Sequence, residues 1–404
     1  MTLRRRHLLG AAAGSALATA HPLVRAQSGK AEPLVVWFTV EGAKGMRRVG
    51  ERFTAATGVP VIVETPDPAD GPSKFQQSSA AGKGPDIYIY AHDRIGEWVA
   101  AGILQSVNPG RALRQDIDPL GWQGFGLRGR LWGYPYALEA VTLLYNKALV
   151  KTPPRDFDEV IALDDQLARQ GKRAIIWDYT NTYFTWPLLA AQGGYAFRQR
   201  ADGSYDPRDT VVANAGAKQG AALLARLIQE GRMPVGSGYA EMEAAVAQGR
   251  VAMMINGPWA WVNLKRMGID FGVARIPAVA GKAAAPFVGV KGLLINRATR
   301  QRELAVEFIE HHVLTLAGLR DIDRAEPIGA PASRAYYAEL LADPANGPRV
   351  AGIMESALDG KPTPSNPEMG RFWSAMKSGL TNLSEGRQSP AQALDAAALR
   401  VRGV

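Results

Sequence analysis

The sequence predicts an α/β protein of two lobes, each a mainly parallel sheet flanked by helices, and three observations predict it. Short apolar runs rich in Val, Ile and Tyr alternate with amphipathic helical stretches along the chain, the pattern of β–α–β units. The 404 residues suffice for two domains of ordinary size, each burying its own core. The 43 glycines and 26 prolines are spread along the chain, as many short connections require, and no low-complexity linker or internal repeat interrupts it.

The elements follow in order. Leu34 to Val40 reads as a buried strand and Met46 to Thr57 as a helix. Val59 to Val63 and Asp86 to Ala91 are further strands, and a helix from about Asp93 to Ala101 stops at Gly102. In the second half, Arg173 to Trp177 is a strand. Asn214 to Glu230 is a helix with Leu223, Leu224, Leu227 and Ile228 on one face, ended by Gly231. Val251 to Ile255 and Val288 to Asn296 are strands, and the last hundred residues are mostly helical, including Gln301 to Leu314 and Pro390 to Val401.

The first 26 residues form a separate unit. Arg4, Arg5 and Arg6 precede a small-residue apolar run to Ala20, and Val24-Arg25-Ala26 offers a small-x-small cleavage site. This is the composition of an export signal, and Arg5-Arg6-His7-Leu8-Leu9 is similar to a twin-arginine pattern. The stretch from Leu8 to Ala20 is too short to span a bilayer. No cysteine follows it, so no lipid anchor is expected there. The expected mature chain begins near Gln27, outside the inner membrane, in the periplasm.

Composition excludes several functions. With no cysteine, disulfides, thiolate nucleophiles and cysteine-ligated metals are ruled out. The net charge of +9 includes +4 from Arg4, Arg5, Arg6 and Arg25, with no acid in that segment. The remaining basic residues are dispersed among acids, with no basic run interleaved with aromatics, so nucleic-acid binding is not expected. There is no Gly-x-Ser-x-Gly, no Gly-x-x-x-x-Gly-Lys-Ser/Thr and no His-Glu-x-x-His. Beyond the leader only His92, His311 and His312 remain. The His311-His312 pair lies on an amphipathic helix, where packing or a surface position accounts for it. No metal and no cofactor are expected.

The nine tryptophans carry more information. Asn256-Gly-Pro-Trp259-Ala-Trp261, Tyr183-Phe-Thr-Trp186 and Phe372-Trp373 each sit at a break between elements. A sugar ring has apolar C–H faces and a rim of hydroxyls, so its site needs flat aromatic surfaces and directed acceptors and donors. Trp186 and Trp261 are assigned to the core; Trp259 and Trp373 are assigned to a site.

The segment Gly84-Pro-Asp-Ile-Tyr-Ile-Tyr-Ala-His-Asp-Arg94 resembles the maltose/maltodextrin-binding proteins of bacterial ABC importers. The likeness continues, in order, through Tyr134 to Ala140, Leu144 to Lys147, Tyr183 to Pro187, Gly193 to Phe197, Asn214 to Lys218, Ile255 to Trp261 and Pro286 to Val290. It implies a two-lobed periplasmic-binding-protein fold with discontinuous lobes: 27–138 plus 287–342, and 142–285 plus 347–404, with the sugar between them. The partners it implies are maltose, maltodextrin or a related glucoside and a membrane permease. The mature chain is expected to act as a monomer without membrane insertion.

By the same resemblance Asp93 and Arg94 match an adjacent pair that hydrogen-bonds sugar hydroxyls, and Glu139 an acidic residue of the wall near the hinge. Tyr183, Tyr239, Trp259 and Trp373 match aromatics that stack on or hydrogen-bond to glucose units, and Tyr90 stands where a Trp is usual. Departures are equally definite. In the loop expected after the first strand, shortened by about one residue, only Glu41 remains of an Asp-Lys pair, and a paired Glu near Pro72-Ser73 is missing, with Asp70 the nearest acid. Asn181-Thr182 replaces Glu-Pro, Ser374 an aromatic, and Lys377 an Arg whose planar fork a lysine lacks. Aromatic platforms are thus kept while polar groups change, which leaves trehalose or another short glucoside as a competing ligand. A glycoside hydrolase using Glu139 and Asp93 as paired carboxylates is the alternative of a different class.

Overall fold

The computed structural model describes residues 31–67, 70–234 and 236–404; the predicted leader, 1–26, lies outside the described residues. Two sheets organise the chain. The first runs in the order Ala330–Pro331, Tyr134–Ala140, Phe287–Ile295, Ile87–Ala91, Leu34–Trp37, Val61–Glu64, with Lys361–Pro362 beside the start of Phe287–Ile295. The second runs Phe271–Ala274, Thr142–Asn146, Val251–Asn256, Arg173–Ile176. Helices flank both.

Local sequence explains where the helices stop and start. The helix Val40–Thr57 begins earlier than its apolar periodicity predicts, because the Thr39 side chain accepts the Gly42 N–H at 3.1 Å and caps it there. Glu41 therefore stands in a first helical turn and not in a loop. Gly58, at φ 76°, closes the helix in the left-handed region. Its buried face is Met46, Val49 and Phe53, packed under the first sheet and against the helix Leu316–Ala325. The helix Ala215–Gln229 is capped by Asn214, whose side chain accepts from Ala217 N–H at 2.7 Å. The helix expected from Gln301 to Leu314 divides into Arg302–Phe308 and a π turn, Ile309–Val313. The turn buries Ile309 and Val313, leaves His311 exposed, and sets the His312 ring edge-on to Phe53 at 5.0 Å.

The α/β class holds, but the pairing is less parallel than expected. Leu34–Trp37 pairs parallel with Val61–Glu64 and with Ile87–Ala91, as β–α–β units require. Phe287–Ile295, by contrast, runs antiparallel to both Ile87–Ala91 and Tyr134–Ala140. In the second sheet Thr142–Asn146 runs antiparallel to both its neighbours, and only Val251–Asn256 with Arg173–Ile176 is parallel. The cause is connectivity. These strands carry the chain between the two sheets, so their direction is set by the sheet the chain arrives from and not by a crossover helix within one sheet.

The crossings lie side by side. Tyr134–Ala140 leaves the first sheet and, after Val141, continues as Thr142–Asn146 in the second. Phe287–Ile295 brings the chain back beside it. The helix Gly347–Asp359 packs on strands of both sheets, and its Ser356 hydroxyl donates to the Val141 carbonyl at 2.8 Å. The helices Met369–Ser384 and Pro390–Arg402 then pack against Ala215–Gln229, on the second lobe.

Candidate functional site: a cleft beside the crossing strands

On the second lobe, three rings that sequence places far apart come together. Tyr183 lies in the first turn of the helix Thr182–Ala190, whose cap is Asn181: its Oδ1 accepts from Tyr183 N–H at 3.2 Å. Trp259 sits in the 3₁₀ turn Pro258–Ala260 at the end of Val251–Asn256, and Trp373 in the helix Met369–Ser384. The Tyr183 ring centre is 6.3 Å from that of Trp259 and 6.5 Å from that of Trp373, both inclined at about half a right angle. Trp259 is 38% exposed, a high value for a tryptophan held in place by neighbours. Its indole lies across Gly257, where a Cβ would fall 2.2 Å from the ring. Tyr239 joins the group through Phe184, 6.0 Å away, and its hydroxyl donates to Glu243 Oε1 at 3.1 Å. Behind Tyr183, Phe287 of the crossing strand stacks at 6.4 Å and is itself stacked on Trp186 at 4.7 Å. Trp186 and Trp261 are buried in the core, as their positions predict.

The first lobe contributes polar groups on an aromatic bed. Tyr90, at the end of Ile87–Ala91, stacks on Tyr88 at 5.2 Å and leans on Trp98. Burial and then the neighbouring Asp93 raise its phenolic pKa. Trp37 meets Tyr88 edge-on and donates its indole N–H to Glu64 Oε2 at 2.7 Å. The 3₁₀ turn His92–Arg94 then presents Asp93 and Arg94. Arg94 is held by Glu97 at 3.3 Å. Asp93 Oδ1 is buried and accepts no hydrogen bond among the described residues. A buried acceptor without a donor is costly, and this one sits in the turn that the resemblance assigns to sugar hydroxyls.

His92 fixes that turn. Its Nδ1 accepts from the Val290 N–H at 3.0 Å and its Nε2 lies 2.8 Å from the Thr363 carbonyl, a donor–acceptor pattern that requires the neutral ring. Burial holds the imidazole pKa below its ordinary value. His92 thus ties the turn that holds Asp93 to the crossing strand.

Between the two walls lies a charged floor. Glu139, on the crossing strand Tyr134–Ala140, pairs with Lys291 of the neighbouring strand at 2.9 Å, and Lys291 reaches Glu326 at 3.6 Å. The Thr39 hydroxyl donates to the other Glu326 oxygen at 2.6 Å. Burial opposes the Lys291 charge, but Glu139, Tyr136 and Glu326 more than offset it and hold the ammonium protonated. The Tyr183 hydroxyl reaches this floor from the other lobe. Burial chiefly, then the Glu139 and Asp93 carboxylates, raise its pKa while Lys291 opposes them.

Most of the residues singled out in the sequence are therefore gathered in three linked groups. Tyr90, Asp93 and Arg94 share one wall; Tyr183, Tyr239, Trp259 and Trp373 share the other, with Glu139 at the floor. Asn181 and Lys377 line a recess of about 280 Å³ with Asp178, Thr180, Thr182 and Trp373. Glu41 is exposed in its helical turn. Larger recesses, of about 710, 610, 600 and 410 Å³, are lined by none of the site residues named from the sequence. Lys291, Glu326, Phe287 and Trp37 were missed by sequence reasoning. A signal for Lys291 was present: a lysine within Phe-Val-Gly-Val-Lys-Gly-Leu-Leu-Ile must find a partner or stay out of the sheet.

Two sheets joined by crossing strands, with an aromatic group and a polar group on either side of the junction, fit a protein that receives a solute between two bodies. The chain belongs to the bacterial extracellular solute-binding proteins, whose family model matches residues 39–311. A galactooligosaccharide-binding protein of Bacillus subtilis (strain 168) is 28% identical over 93% of this chain and 90% of its own length. A maltooligosaccharide ABC transporter solute-binding lipoprotein of Streptococcus pneumoniae (strain ATCC BAA-255 / R6) is 27% identical over 87% and 84%. The maltodextrin-binding protein MdxE of Bacillus subtilis (strain 168) is 27% identical over 80% and 76%. These relatives bind solutes, and this protein is a binding protein and not an enzyme. Among the described residues no helix is long and apolar enough to cross a membrane, and no group of side chains could hold a metal ion.

Proposed function

We propose that this protein captures a neutral glucose-type oligosaccharide, maltose or a short maltodextrin, and delivers it to the permease of an ABC importer. The observation that carries the reading is the buried, unpartnered Asp93 Oδ1, opposite a wall of Tyr183, Trp259 and Trp373. A pyranose fits such a site: its hydroxyl supplies the donor that Asp93 lacks, while its C–H face covers the rings. Relatives named for maltooligosaccharides and maltodextrin support the same class.

In this reading the lobes are 27–138 with 287–342 and 142–285 with 347–404, and the crossings near 138–142, 285–287 and 342–347 act as hinges. Closure brings Asp93, Arg94 and Tyr90 towards the aromatic wall, and the closed monomer docks on the permease. Glu41, Asn181 and Lys377 extend the site along its rim. The twin-arginine-like pattern near the N-terminus supports export to the periplasm as part of this reading.

A second reading keeps fold and mechanism but changes the sugar to a galactooligosaccharide or trehalose. Two observations favour it: the relative matched over 93% of this chain is named for galactooligosaccharides, and Asn181, Ser374 and Lys377 alter polar positions. Thermal unfolding with maltose, maltotriose, galactobiose and trehalose separates the readings. A ligand at a hundred times its Kd stabilises the folded state by about 2.7 kcal/mol. Stabilisation by maltose or maltotriose alone supports the first reading, and by galactobiose or trehalose alone the second.

A further inference from the structure

We infer that Lys291 is a ligand-binding residue of the cleft and that, together with Glu139, it reads a pair of neighbouring hydroxyls on the sugar. The inference rests on the sugar-binding function proposed above. Phe287–Ile295 lies inside the first sheet, between Ile87–Ala91 and Tyr134–Ala140, where a lysine has no reason to be unless its ammonium is used. Residues two apart on a strand share a face, so Gly289 and Lys291 point the same way. A Cβ at position 289 would lie 3.6 Å from Glu139 Cβ and 3.7 Å from the Tyr183 hydroxyl. That face therefore looks at the floor carboxylate and at the aromatic wall of the opposite lobe, and the missing side chain of Gly289 leaves space between them.

The ammonium is held but not used up. It carries three N–H donors, and its carboxylate partners are Glu139 at 2.9 Å and Glu326 at 3.6 Å. Glu326 is also engaged by Thr39, whose hydroxyl donates to its other oxygen. Lys291 remains 25% exposed and Glu139 14%, so neither is sealed in the core. A buried ion pair kept only for stability is poorly repaid, because an apolar pair of the same volume is often at least as stable. What the pair supplies is chemistry: a group that only donates beside a group that only accepts. Adjacent hydroxyls on a pyranose match that spacing, one donating to Glu139 and the next accepting from Lys291. The acids facing this point, Asp93, Glu139 and Glu326, outnumber the cations beside them, Lys291 and Arg94, and Arg94 is already engaged by Glu97. The floor therefore takes a neutral diol and rejects a sugar phosphate or uronate.

The test is calorimetric titration of the wild type and Lys291→Met with maltose, galactobiose and trehalose. It is repeated with the monodeoxy analogues of whichever binds. We expect Lys291→Met to weaken the parent sugar about tenfold or more, in line with losing a buried hydrogen bond to a charged group. For one deoxy analogue the difference between the two proteins should fall below about threefold. A parent affinity within about threefold of wild type overturns the inference, as does an equal loss for every analogue. The wild-type co-crystal with the same sugar is independent of how the variant folds. Nζ should lie within about 3.2 Å of a ring hydroxyl, directly or through one water; an ammonium touching neither contradicts the inference. A wild type that binds none of these sugars overturns the proposed function and this inference with it. Binding with equal losses throughout overturns the inference alone.

Discussion

At the scale of single residues, the cleft separates groups that stabilise the fold from groups that spend stability on a ligand. Trp186 and Trp261 are core residues, whereas Trp259 stands 38% exposed on Gly257, with Tyr183 beside it. Trp259→Ala should weaken sugar binding by about tenfold to a hundredfold, roughly 1.4–2.8 kcal/mol. It should leave the unfolding temperature of the ligand-free protein within a few degrees of wild type. Calorimetry and thermal unfolding on the same sample check both halves, and a large loss of stability would return Trp259 to the core. Asp93 should behave in the opposite sense. Its buried Oδ1 has no donor, so Asp93→Ala should leave ligand-free stability unchanged or raise it, by up to about 1–3 kcal/mol, while sugar binding falls by a similar free energy. Denaturant unfolding and titration separate the two effects. Much of this was legible in the sequence. Tyr183 and Trp259 stand at breaks between elements, where a ring has no periodic stripe to join; Trp373, expected at such a break, lies instead in the second turn of the helix Met369–Ser384. Lys291 was less legible, because a strand pattern does not say which neighbouring strand will bring the carboxylates.

At the scale of elements, the site is built where helices begin and strands cross. Asn181 and Thr39 each cap a helix beside the cleft, and the 3₁₀ turn His92–Arg94 is pinned to the crossing strand by the His92 ring. Burial lowers the His92 pKa, so on acidification the unfolded chain takes up the proton before the folded one does. The stability this ring contributes is complete above about pH 6.5, the ordinary value, and is lost as the pH falls below it. His92→Gln, whose amide can both donate to Thr363 and accept from Val290, should lose less stability than wild type between pH 7.5 and 5.5 in urea unfolding. An identical pH dependence in both proteins would remove His92 from this role. Element boundaries were where sequence reasoning fell short. The helix after the first strand begins at Val40 because Thr39 caps it, although its apolar stripe starts only at Met46. The parallel share of each sheet was overestimated because periodicity reports that a strand is buried but not the direction from which the chain enters it.

At the scale of the whole molecule, the two sheets meet along a pair of adjacent strands that pass between lobes, with Phe287 stacked between Tyr183 and Trp186 at the junction. The class of this architecture was legible from the alternation of elements and from motifs spread in order along the chain. The sugar was not, because the polar positions that discriminate related glycosides are those that differ here. The closure proposed above would bring separate polar and aromatic walls onto one ligand, so neither wall alone should bind it. The measurement that tests this account most directly is calorimetric titration of ligand-stripped protein with maltose and maltotriose, with galactobiose and trehalose alongside. The account predicts saturable binding of one oligosaccharide per chain with a Kd near the micromolar range, about −8 kcal/mol, for at least one of them. A folded protein that gives no heat and no competition with any of the four would contradict it.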